Sequence, residues 1–166
     1  MLSTYKEGQA IMHVINSFQM ALRLPFLMDV LDKYEVFFAM MESWSINMRI
    51  SLEFFNIANS SQKNKDFNCS LLGYNKRLNK KDKTELMKLK DTVDKFVVHF
   101  SNERISQESN NTFNEITIES MQMYASLLVK EIVPFLKHLK QTYNNDFEAN
   151  YNYIEQMLVP YNIALK

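Results

Sequence analysis

His99 stands in the most suggestive setting for chemistry that this chain offers. It lies in the amphipathic stretch LMKLKDTVDKFVVHFSNER of residues 86–104, beside Phe100 and close to the polar run SNERISQESN. Apolar side chains recur at Leu86, Leu89, Val93, Phe96, Val97 and Phe100, the three-and-four spacing of a helix with one buried face. Lys88, Lys90, Asp91, Asp94 and Lys95 take the other face, so His99 falls at the border between core and water. The same position suits a plainer role: a helix-end imidazole half buried against Phe96 and Phe100 and bonded to a carbonyl. A second candidate chemistry lies upstream. Residues 59–83 interleave Phe67 and Tyr74 with Lys76, Arg77, Lys80, Lys81 and Lys83. Cations among aromatic rings are a pattern that holds single-stranded nucleic acid, although a solvated lysine-rich connection has the same composition.

Other chemical templates are missing. His13 falls off the apolar stripe of its helix, a surface position, and His138 sits in KHLK near a helix end, where the dipole favours a cation. Neither has a carboxylate or a second histidine at metal-ligand spacing, so no metal site is expected. No glycine-rich phosphate loop, nucleophile elbow or HExxH pattern occurs, and no cofactor is implied. Cys69 is the single cysteine, which excludes an intramolecular disulfide and fits a reducing, cytoplasmic setting. Lys6, Glu7, Gln9, His13 and Asn16 interrupt residues 1–21, which do not read as a signal peptide. No run reaches the roughly 18 apolar residues of a membrane span.

Helices must position these residues. Two glycines and three prolines in 166 residues are too few for the turns of a sheet protein, and eleven Met with twelve Phe suit a core between long helices. The charges cancel at nineteen each, yet residues 63–95 carry ten basic and five acidic groups, a local basic region in a neutral molecule. A first helix, capped by Ser3 or Thr4 with Glu7, buries Ile11, Ile15, Phe18 and Leu22, and Pro25 is expected to end it or to start the next. Phe37, Met41, Trp44, Met48, Leu52 and Phe55 form the most regular seam. Residues 59–83 read as a long polar and basic loop, with Phe67, Leu71, Leu72 and Tyr74 pinning a short helical turn onto the body. Asp82 or Thr84 then caps the helix that holds His99. Thr112 with Glu115 resembles a capping box for a helix with the seam Thr117, Met121, Tyr124, Leu128, Ile132, Phe135 and Leu139, which Pro134 should kink or divide. A last helix is expected from about residue 145, with Phe147, Tyr151, Ile154, Leu158 and Tyr161 facing inward. The expected fold is all-α: residues 1–166 as a single domain, an antiparallel bundle of five or six helices with no sheet.

The stretch DKFVVHF, preceded by LKDTV and a lysine-rich lead-in, resembles the motif helix of the HEPN superfamily, whose members carry a stretch like L-R-[DN]-K-φ-φ-A-H at a helix end. Asp94, Lys95, Phe96, Val97, Val98 and His99 match its tail, and the similarity spans about residues 35–105. The resemblance implies a homodimeric bundle that cleaves RNA without metal, with His as general base or electrostatic partner and Arg stabilising the phosphate. This chain departs from the pattern where the arginine belongs, since those positions hold Thr92, Val93 and Asp94. Lys95 or Arg104 would have to replace it, and a lysine lacks the planar bidentate fork.

Three readings follow. The first is a catalytically degenerate HEPN-like protein, dimeric, acting as a binding or regulatory module in bacterial defence or toxin–antitoxin biology, its partner an antitoxin, a defence component or RNA. The second is an active metal-independent endoribonuclease using His99 with Lys95 or Arg104. The third is a small phage- or plasmid-encoded interaction or inhibitor module that uses its many Met and Phe side chains to bind a protein.

Overall fold

The computed structural model describes residues 5–28, 34–57, 67–98, 116–143, 155–156 and 158–162. These contain four α-helices: α1 (Tyr5–Met28), α2 (Tyr34–Phe54), α3 (Lys80–Val98) and α4 (Ile118–Thr142). Short 3-10 turns occupy Cys69–Leu72 and Val159–Tyr161, and no strand occurs among the described residues. The count is thus four helices, against the expected five or six. Most of the expected last helix, like the caps assigned to Ser3, Thr4 and Thr112, lies outside the described residues. α1 packs on α2 and α4, α2 on α3, and α3 less extensively on α4, so the four close a ring around one core.

That core is aromatic at its centre. Phe18 of α1 stacks on Phe55 with centroids 5.2 Å apart, and Phe135 of α4 meets Phe18, Phe54, Phe55 and Tyr74 edge-on at 5.1–6.0 Å. Each such pair adds roughly 0.5–1.5 kcal/mol beyond its buried area. Met28, Met41, Met48 and Met121 are buried in the same core, whereas Met20 and Met123 are exposed. The α2 seam is buried from Met41 through Trp44, Met48 and Leu52 to Phe55. α2 ends where Asn56 adopts a left-handed conformation, with Asn56 N–H donating to the Glu53 carbonyl and Ile57 N–H to that of Leu52, a Schellman closure.

Both prolines expected to break helices lie inside them. Pro25 removes the N–H that the Ala21 carbonyl needs and crowds the bond to Leu22. The fold supplies substitutes: Trp44 Nε1 donates to the Ala21 carbonyl at 3.0 Å, and the Tyr161 hydroxyl to that of Leu22 at 2.8 Å. α1 therefore continues three residues past Pro25 instead of ending there. α4 likewise runs through Pro134 undivided.

The boundaries of α3 and α4 also differ from expectation. Asn79, not Asp82 or Thr84, caps α3. Asn79 Oδ1 accepts from the Asp82 amide at 2.8 Å, while Asn79 Nδ2 donates to Asp82 Oδ2 at 2.9 Å. This reciprocal cap starts the helix at Lys80, so Lys80, Lys81 and Lys83 belong to its first turns and not to the preceding loop. Thr117, expected in the buried seam of α4, is instead its N-cap, in a capping box with Ser120.

Candidate functional site

The most elaborate polar arrangement among the described residues is built around Glu131, and the spacing of its helix explains its place. Leu128, Glu131 and Phe135 continue the three-and-four pattern of α4, which puts a carboxylate on the buried stripe, fully shielded from solvent. Such a burial is tolerated when donors surround the group. Oε1 accepts from the Tyr74 hydroxyl at 2.7 Å and the Arg77 amide at 2.9 Å; Oε2 accepts from the Arg77 and Leu78 amides at 3.0 and 2.7 Å. The side chain thus serves backbone amides that no sheet or helix ladder satisfies.

Two further clips join the same segment to α4. His138, two turns beyond Glu131, donates from Nε2 to the Leu72 carbonyl at 2.8 Å. Lys130 Nζ pairs with Asp82 Oδ2 at 2.8 Å, and this hydrogen bond holds the Asp82 carboxyl below the usual carboxylate range. Between the clips, the Cys69–Leu72 turn closes on Gly73. Its φ of +70° is the left-handed region, with Gly73 N–H donating to the Ser70 carbonyl and Tyr74 N–H to that of Cys69. The short turn expected on this loop is present, with Leu72 buried and Phe67 half buried; Leu71, expected to help pin it, is exposed.

This clamp decides where the nucleic-acid candidates sit. Tyr74 is not available as a stacking platform in this conformation: it is buried between Phe55, Phe135 and His138, with ring centroids 5.2–6.3 Å away. Burial, then the hydrogen bond to Glu131, pushes its hydroxyl above the usual tyrosine range. Lys76, Arg77, Lys80 and Lys81 are exposed, and Lys83 is half buried. Lys76 Nζ donates to the Asn56 carbonyl at the C-terminal end of α2, 3.1 Å away, a place the helix dipole favours for a cation. Lys80 and Lys81 are placed against that preference, at the N-terminal turn of α3.

Of the residues suggested by the motif, His99 and Arg104 lie outside the described residues, as does the side chain of Lys95. Asp94, where the resemblance calls for arginine, lies 3.2 Å from Arg49 Nε of α2 and also pairs with Lys90. His13 is exposed, as its position off the stripe suggests. Cys69 is buried, which pushes its thiol up, against reactivity. No group of three potential metal ligands occurs among the described residues, and no described helix is long and apolar enough to cross a membrane.

Glu131 and His138 escaped the sequence reading as partners of the loop. Glu131 left one signal, a carboxylate in register with an apolar seam. His138 left none, since its acceptor is a backbone carbonyl sixty-six residues away. No family model, no curated protein and no solved structure matches this chain. The HEPN-like reading accordingly rests on the motif residues alone.

Proposed function

We propose that the chain is a HEPN-like binding module that holds RNA along the basic edge formed by Lys76, Arg77, Lys80 and Lys81, without cleaving it. The observation that carries this reading is the placement of Lys80 and Lys81. Both are exposed at the start of α3, where the helix dipole disfavours cations by about 0.3–1 kcal/mol each, and neither forms an ion pair among the described residues, the Asp82 carboxylate beside Lys81 being taken by Lys130. A phosphate backbone is a ligand that turns this cost into affinity, since helix-start amides and lysines act on it together. The Glu131 clamp fixes the backbone of Arg77 and Leu78, so the edge is presented without a large ordering cost on binding. Binding without cleavage fits the motif positions Thr92, Val93 and Asp94, the last already engaged by Arg49 and Lys90.

The test is fluorescence anisotropy of a single-stranded RNA oligomer titrated with the full chain across a salt series. The double variant Lys80→Glu/Lys81→Glu should weaken binding by tenfold or more, and should flatten the salt dependence by about 0.7 in log–log slope per lost contact. Wild-type protein that ignores RNA at low salt, or a double variant that binds equally well, would overturn the reading.

A further inference from the structure

Lys130 and Glu131 are consecutive in α4 and serve two neighbouring features. Glu131 lies beneath the basic segment and holds the Arg77 and Leu78 amides. Lys130 lines a cavity of about 540 Å³ between α1, α4 and the Val159–Tyr161 turn, and its Nζ reaches Asp82, the residue after Lys81, at 2.8 Å. The cavity is thus one side chain's reach from the edge on which Lys76, Arg77, Lys80 and Lys81 are exposed.

Its size is that of small-molecule sites, about 300–1,000 Å³, and its lining is of two kinds. Phe26 and Tyr161, edge-on with centroids 5.4 Å apart, supply aromatic surface, extended by Val133 and Pro160. Ser126, Asn162 and Lys130 supply polar groups. The Ser126 hydroxyl already donates to the Gln122 carbonyl at 2.8 Å, so it meets a ligand as an acceptor, whereas the Asn162 amide offers both donor and acceptor. Lys130 is already paired, and in pairing it neutralises Asp82, the acidic residue in the first turn of α3.

A planar body with a hydrogen-bonding rim suits that lining, and the cations that would hold its phosphates lie beside it. We propose that the cavity takes one unstacked nucleobase of a single-stranded RNA whose phosphates follow residues 76–81, its ring against Phe26 and Tyr161 and its polar edge toward Ser126 and Asn162. The inference rests on the RNA-binding reading above and adds a contact of another kind. Phosphate contacts lose affinity as salt rises, whereas stacking in an aromatic-walled pocket carries no such charge dependence.

The test is fluorescence anisotropy of the full chain with labelled octamers of adenylate, cytidylate and uridylate, and with an abasic ribose–phosphate strand of the same length. At least one of the three should bind about tenfold more tightly than the abasic strand, which is ~1.4 kcal/mol and within the worth of one stacked base. That advantage should persist as salt is raised. Ser126→Phe, at an exposed position of the cavity wall, should cut it to about twofold or less. Phe26→Ala, which removes a ring from the α1 wall, should cut it as well and gives the answer even if Ser126→Phe fails to fold. Equal binding of intact and abasic strands, or an advantage that either folded variant retains in full, would overturn the pocket and leave the RNA-binding reading standing. No binding of any strand would overturn both.

Discussion

Pro25 in α1 and Pro134 in α4 each delete one rung of a helix ladder and crowd the next. Around Pro25 the fold has closed the account with neutral aromatic donors, Trp44 and Tyr161, brought in from α2 and from the turn at Val159–Tyr161. Around Pro134 it has assembled something different. The Glu131 carbonyl has a long contact to Tyr74, the Glu131 carboxylate gathers three donor groups from the segment before α3, and no side chain among the described residues donates to the Lys130 carbonyl. The first region serves packing alone. The second organises a surface, because the segment fixed by Glu131 carries exposed Lys76 and Arg77 and leads into Lys80 and Lys81 at the start of α3.

The largest effect expected from this contrast is at Glu131. Glu131→Leu should cost about 2–4 kcal/mol in denaturant unfolding, because it leaves the buried Tyr74 hydroxyl and the part-buried Arg77 and Leu78 amides without an acceptor. A loss below 1 kcal/mol would mean that the carboxylate does not hold the loop. Trp44→Phe should cost about 2 kcal/mol by orphaning the Ala21 carbonyl. Adding Pro25→Ala returns an N–H to that carbonyl, so the same substitution should cost ~1 kcal/mol less in that background. A double-mutant cycle measures this directly, and strict additivity would separate Trp44 from the proline.

Tyr161→Phe should cost less, about 1 kcal/mol, and it sharpens a pH dependence. Burial pushes the Tyr161 hydroxyl above the usual range, as burial and Glu131 do for Tyr74. In the unfolded chain both titrate near ~10. Unfolding therefore releases protons in alkali, and stability is full below that pH and falls as pH rises beyond it. Removing one of the two hydroxyls should make the alkaline decline shallower; an unchanged decline would mean Tyr161 titrates normally.

The helices were legible where burial alone decides structure. Met41, Trp44, Met48, Leu52 and Phe55 announce the inner face of α2 by spacing, and Met121, Leu128, Ile132, Phe135 and Leu139 do so for α4. What escaped depends on partners distant in the chain. Pro25 reads locally as a helix end, because its remedies lie twenty-three and one hundred and thirty-nine residues from the carbonyls they serve. Tyr74 reads as an aromatic among cations, since nothing near it in sequence reveals a carboxylate fifty-seven residues on. Asn79 and Asp82 are a nearer miss: the two share one cap, and composition alone does not say which residue precedes the helix.

The two prolines can be compared most directly by replacing each with alanine and measuring the free energy of unfolding in denaturant. If Pro25 is compensated and Pro134 is not, Pro134→Ala gains about 1–3 kcal/mol from the restored rung, while Pro25→Ala shifts stability by less than ~1 kcal/mol because its carbonyl is already satisfied. Equal gains at the two sites, or a larger gain at Pro25, would contradict the account.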